Sequence, residues 1–185
     1  MNTFILHGSY GKPFENWFPW LEKELSSRSI TCTIPSLPTP NHQNYVSWKE
    51  LLDYYVTKGL INDETVLIGH SCGAVCAAKF LLESKIKVKA LISVAGYNNF
   101  YSGDHMDDLN GSFYFNPEIL GNIDSTVPVR YAYFSDNDPF IPYEKLEEFS
   151  LTIKAIPKII IDAGHFNASA GYYTFEDLLQ TILEL

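Results

Sequence analysis

Thr65-Val66-Leu67-Ile68-Gly69-His70-Ser71-Cys72-Gly73-Ala74-Val75-Cys76-Ala77-Ala78-Lys79-Phe80-Leu81-Leu82 runs from a β-branched apolar stretch through a G-x-S-x-G pentapeptide into an alanine-rich helical pattern. Strand, sharp turn and helix follow one another, with Ser71 at the apex. The backbone at such an apex is strained, so small residues must flank it, and Gly69 and Gly73 supply them. The following helix aims free N–H groups at the Ser71 hydroxyl. The pentapeptide alone is a weak signal; the strand before it and the helix after it supply the context it requires.

Outward from this element, strands and helices alternate. Thr3–Leu6 reads as a strand entering the loop His7-Gly8-Ser9-Tyr10-Gly11-Lys12-Pro13. Phe14–Ser27 reads as a helix with Trp17, Trp20, Leu21 and Leu25 on one face. Ile30–Ile34 is a strand stopped by a proline-rich loop, and Tyr45–Lys58 a helix closed by Gly59. Val88–Ala95, Val129–Phe134 and Lys158–Ile161 are further strands; Tyr143–Ser150 and Thr174–Leu185 are helices. The stretch from Tyr97 to about Thr126 reads as irregular. Near-continuous apolar strands between helices predict an α/β protein, a mostly parallel sheet buried on both faces. Ligands bind such sheets at the strands' carboxyl ends. The His7 loop, Ser71, the Asp136–Asp138 turn and the His165 loop all fall there.

At 185 residues the chain is expected to form one domain, residues 1–185, with no internal repeat or linker. Its net charge of −9 lacks any basic stripe, which argues against a nucleic-acid partner. No apolar stretch is long enough to span a bilayer, and the N-terminus lacks the basic region of a signal peptide. Cys32, Cys72 and Cys76 fit neither a disulfide framework nor a zinc cage. A reducing, cytoplasmic location is expected, where the sequons at Asn110 and Asn167 would be idle. Cys72 and Cys76, four apart on one face of the helix after the turn, read as small buried hydrophobes, with a somewhat acidic, reactive Cys72 beside the helix N-terminus as the alternative.

A serine hydroxyl needs an imidazole to take its proton, and the imidazole needs a carboxylate to fix its tautomer. Ser71 is followed 67 residues on by Asp138 at a strand end, and 27 residues later by His165. That is the Ser, acid, His order of the α/β-hydrolase arrangement. Asp136 and Asp162 are alternative acids; Pro139 fixes the chain after Asp138 and favours it. Gly164 implies a special turn presenting His165, while His7 and His70 read as structural. The oxyanion needs backbone donors: Cys72 N–H comes with the turn, and Ser9 N–H is favoured over Tyr10. Gly11-Lys12 superficially suggests a phosphate loop, but Leu6 and Pro13 stand where its glycine and hydroxyl residue must be. The aromatics Phe100, Tyr101, Phe113, Tyr114 and Phe115 either line an acyl pocket or pin an irregular loop to the core.

His7-Gly8, Glu15-Asn16-Trp17-Phe18-Pro19-Trp20-Leu21, Gly69–Ala74, Ser135-Asp136-Asn137-Asp138-Pro139-Phe140-Ile141-Pro142 and Gly164-His165-Phe166 lie in order over nearly the whole chain. Together they resemble the small serine hydrolases related to retinoblastoma-binding protein 9 and the bacterial YdeN-type proteins. The resemblance implies a compact α/β-hydrolase fold without a large lid domain, helices on both faces, and Ser71, Asp138 and His165 as triad. The leading expectation from these residues is hydrolysis of a small ester-like substrate, with thioesters and amides as open alternatives and no cofactor or metal required. The L-x-C-x-E pattern linked to retinoblastoma binding is absent, so that partner is not carried over and any protein partner is unknown. A low-turnover binding module and a carbon–carbon lyase on the same scaffold are the rival readings.

Overall fold

In the computed structural model, which describes residues 1–120 and 123–185, the described residues form a sheet of six parallel strands in the order β2-β1-β3-β4-β5-β6. The strands are β1 (Asn2–Leu6), β2 (Thr31–Thr33), β3 (Thr65–His70), β4 (Ala90–Val94), β5 (Val129–Ser135) and β6 (Ile156–Ile160). The helices are α1 (Phe18–Ser26), α2 (Tyr45–Thr57), α3 (Cys72–Ser84), α4 (Met106–Asn110), α5 (Pro117–Leu120), α6 (Tyr143–Thr152) and α7 (Glu176–Leu183). This is the compact α/β-hydrolase architecture.

The period of two along each strand sorts the core. Phe4, Leu6, Leu67 and Leu91 face one layer, where Trp48 and Leu52 of α2 and Val75 and Phe80 of α3 pack. Ile5, Val66, Ile68 and Ile92 face the other, against Leu21 and Leu25 of α1 and Leu178 and Ile182 of α7. Strand order reverses between β1 and β3, so the loops leaving them diverge and open a crevice at their carboxyl ends.

Two expectations need correction. β6 is an outer strand with Ile156 56% and Ile159 45% exposed, so the sheet is not buried on both faces throughout. Pro157, which lacks an N–H, is tolerated there because an edge strand has a side without hydrogen-bonded neighbours. The stretch after Tyr97 is not wholly irregular: it holds α4, α5 and two 3-10 turns, each too short to display a helical period. Gly121 and Asn122 within it lie outside the described residues.

Candidate active site

Ser71 follows β3 directly, at φ 55° and ψ −125°, and α3 begins at the next residue. A side chain in the left-handed region is costly, and the surrounding contacts hold it there. Ser71 N–H donates to Val94 O at 2.8 Å, and Ser71 O accepts from Ala74 N at 2.9 Å. The flanking glycines answer close approach. A Cβ on Gly73 would sit 2.2 Å from Leu6 O, and one on Gly69 2.4 Å from Ala74 Cα. Gly8 is equally constrained from across the crevice, its missing Cβ lying 2.8 Å from Ser71 Cβ.

The segment Ser135-Asp136-Asn137-Asp138 faces the loop Asp162–Phe166 and divides two tasks. Ser135 Oγ, Asp136 Oδ1 and Asn137 Oδ1 accept the backbone N–H groups of Ala163, Asp162 and Gly164 at 3.0, 2.9 and 2.7 Å. Asp138 alone reaches the ring: its Oδ2 lies 2.6 Å from His165 Nδ1, its side chain fully buried and that of His165 9% exposed. Asp138 Oδ1 meanwhile accepts from Phe140 N and Ile141 N, which fixes the carboxylate. Asp162 Oδ1 accepts from Asn137 Nδ2, away from the ring. Of the three candidate acids, the structure thus brings Asp138 to His165.

The other side of the His165 loop is held by residues that the spacing of catalytic groups does not announce. His70 Nε2 donates to His165 O at 2.8 Å, Trp17 Nε1 donates to Phe166 O at 3.0 Å, and Asn16 Oδ1 accepts from Ala168 N at 2.8 Å. These contacts give the Asn16-Trp17 block a physical role. Burial, with the neighbouring His165, pushes His70 down to about 3, so it is a neutral donor. His7 is likewise lowered by burial; its Nδ1 donates to Gly8 O and its Nε2 accepts from Leu37 N. Both histidines hold backbone, as their placement implied.

At the candidate oxyanion site, Tyr10 N–H is already committed to Thr39 Oγ1 at 2.7 Å. Among the described residues no acceptor meets Ser9 N–H or Cys72 N–H. The Cys72 thiol is the buried hydrophobe of the two readings and not the acidic one. It is fully buried, and burial drives its ionisation well above the usual thiol range. Burial of Cys32 does the same, to about 11.

Ser71 and His165 share a cavity of about 530 Å3. No hydrogen bond joins their side chains among the described residues. Phe18, Tyr97, Phe100, Tyr114, Phe140 and Ile141 form its apolar wall, and Glu15, Asp104 and Asp107 are the carboxylates lining it. The Phe140 ring stands 5.1 Å from the His165 ring, and the buried Tyr97 phenol faces Ser71 and Tyr114. The aromatics of the 98–115 segment therefore divide: Phe100 and Tyr114 line the cavity, Phe113 and Phe115 are core, and Tyr101 is 61% exposed. His105, which no motif distinguished, lines the cavity too. Among the described residues no group of three or more His, Cys, Asp or Glu converges as a metal site, and no helix is long and apolar enough to cross a membrane.

Comparison with known proteins bears on the family and the fold. YdeN of Bacillus subtilis (strain 168) is 23% identical over 173 residues, covering 92% of this chain and 88% of its own. The serine hydrolase RBBP9 of Rattus norvegicus is 26% identical over 167 residues, covering 90% and 84%. The crystal structure of the B. subtilis ydeN product superposes with a TM-score of 0.84 at 21% identity, covering 99% of this chain and 97% of that one. Est1E from Butyrivibrio proteoclasticus gives 0.73 at 16% identity, with 99% and 87% covered. The serine hydrolase family model matches residues 3–184. From Thr3 to Glu184, then, this chain belongs to the serine hydrolase family.

Proposed function

We propose that the protein cleaves small esters, in the manner of a carboxylesterase, through an acyl-Ser71 intermediate. The observation that carries this reading is the 2.6 Å contact between His165 Nδ1 and the buried Asp138 carboxylate, beside a cavity that Ser71 and His165 both line. Nδ1–H donating to Asp138 leaves His165 Nε2 free as the general base. As substrate binds, Ser71 Oγ approaches that nitrogen, since catalytic hydrogen bonds commonly tighten only with ligand present. The Ser71 proton passes to Nε2 as Oγ attacks the carbonyl carbon. Cys72 N–H and Ser9 N–H receive the oxyanion. The imidazolium then protonates the leaving alcohol, and water, deprotonated by His165, releases the acid and restores Ser71.

The apolar wall supports a small acyl or aryl group as the bound part of the substrate. Three carboxylates and no Lys or Arg among the described lining residues support a preference for uncharged esters over anionic ones. The three free, buried thiols are consistent with a reducing, cytoplasmic setting. One family model spanning residues 3–184 supports a single domain over residues 1–185. Mixing the protein with p-nitrophenyl acetate tests the reading. A burst of p-nitrophenol, with acetyl recovered on the Ser71 peptide, is expected. Steady ester turnover with the acyl group on another residue, or no turnover by the folded protein, would overturn it.

A further inference from the structure

Gln43 precedes α2 and belongs to no catalytic motif, yet it is 7% exposed beneath the Ser9 loop. Its Nε2 donates to Ser9 Oγ at 2.7 Å, to Asn110 Oδ1 at 3.1 Å and to Leu109 O at 3.3 Å. Ser9 Oγ in turn donates to the same Asn110 Oδ1 at 2.6 Å. On the other side, Thr39 Oγ1 accepts from Tyr10 N at 2.7 Å and donates its proton to Gln43 Oε1, 2.5 Å away. Leu109 O can only accept, so the amide atom that faces it is the nitrogen, which places the amide oxygen toward Thr39 and makes Thr39 the donor to it. One amide thus grips both residues of the loop, Ser9 through its hydroxyl and Tyr10 through Thr39. The same Nε2 lies 4.0 Å from the Sγ of Cys72, the residue that carries the other proposed oxyanion donor.

We infer that Gln43 is a positioning residue of the oxyanion hole: its side-chain amide holds the Ser9 N–H in register with the Cys72 N–H and links that donor to Asn110 at the end of α4. The inference rests on the proposed hydrolase reading. Oxyanion donors act only when held where charge develops, so a loosened Ser9 loop weakens the transition state more than the bound ester. Tyr10 N–H, spent on Thr39, fixes the loop instead of serving the substrate. Because Asn110 lines the cavity, the grip also ties the donor to the wall contributed by α4.

The test compares wild type with Gln43→Met, Gln43→Glu and Ser9→Ala, using p-nitrophenyl acetate turnover and inhibition by phenylboronic acid. The boronate adds to the serine and places an oxygen in the oxyanion hole, as the intermediate does. Gln43→Met removes both ends of the grip; Gln43→Glu keeps the acceptor toward Thr39 and loses the donor toward Ser9. Each variant is expected to lose about 10- to 100-fold in kcat, somewhat less than deletion of a donor costs. KM should stay within about 3-fold, and boronate inhibition should weaken in parallel with kcat/KM. Gln43→Met combined with Ser9→Ala should fall by less than the product of the two single losses, because both break the Ser9–Gln43 bond. A kcat near the wild-type value in Gln43→Glu or Ser9→Ala would overturn the inference. So would a fall in kcat with boronate affinity unchanged, even if Gln43→Met fails to fold. A wild type that neither turns over ester nor binds boronate would instead refute the proposed function.

Discussion

The two loops that flank Ser71 are held in opposite ways. The His165 loop is gripped through its backbone from two sides: Ser135, Asp136 and Asn137 take N–H groups of 162–164, while His70, Trp17 and Asn16 take groups of 165, 166 and 168. The holders come from three separate parts of the chain, and Trp17 also packs edge-on against Phe18, His70 and Phe175. The Ser9 loop is tied mainly through side chains: Gln43 meets Ser9 and, through Thr39, Tyr10, beside the direct bonds from Ser9 Oγ to Asn110 Oδ1 and from His7 Nδ1 to Gly8 O. Backbone tethers from three parts of the chain distribute a defect, whereas an amide shared by two loop residues concentrates it. Damage to the His165 side should therefore appear first as lost stability, and damage to the Ser9 side as lost turnover.

The largest effect is expected where the His165 side touches the ring itself. Asp138→Asn should lower kcat about 10,000-fold, because the amide fixes the wrong tautomer. Asp136→Asn, which retains an oxygen for Asp162 N, should stay within about 3-fold of wild type. Steady-state ester kinetics would read both, and a reversed order would transfer the acid role to Asp136. Next comes Trp17→Ala, expected to cost about 3–5 kcal/mol by urea unfolding for a fully buried Trp. The remaining tethers should keep kcat per folded molecule within about 10-fold. Collapse of kcat at unchanged stability would show that Trp17 serves the site and not the fold.

The smallest effect is a pH dependence. His70 is lowered to about 3 in the fold, with burial as the main cause, against an ordinary value of 6.5. Only the unfolded chain takes up the proton between those values, so the contribution of His70 is complete above about pH 6.5. It is lost as pH falls toward 3, at roughly 1.4 kcal/mol per pH unit. Gln in its place keeps an amide donor for His165 O without the titration. From pH 7 to 5, urea unfolding of the wild type should weaken by roughly 2 kcal/mol more than that of His70→Gln. Equal slopes would show that His70 is not held neutral by the fold.

The same contrast explains what could be read from sequence. The Ser71 turn was legible because close contact writes itself into residue type: Gly69 and Gly73 face backbone atoms where no Cβ fits. The strand-and-helix alternation was legible because burial on two faces leaves continuous apolar runs. Choosing between Asp136 and Asp138 was harder, since both follow β5 and differ only in where the carboxylate points. Pro139 was the sole local hint. Gln43 left no trace, because it meets Ser9 and Asn110 across 34 and 67 residues with no repeated spacing. The start of β6 was obscured by Pro157, a strand breaker anywhere but at an edge. For Cys72, burial overrides the adjacent helix N-terminus, so the buried-hydrophobe reading holds and the acidic alternative does not.

Fluorophosphonate labelling followed by intact mass reads out whether Ser71 is activated by His165 and Asp138. One adduct is expected on the wild type, none on Ser71→Ala, and labelling slowed by orders of magnitude on Asp138→Asn. An adduct that persists on Ser71→Ala, or a folded wild type that takes no label, would contradict that activation.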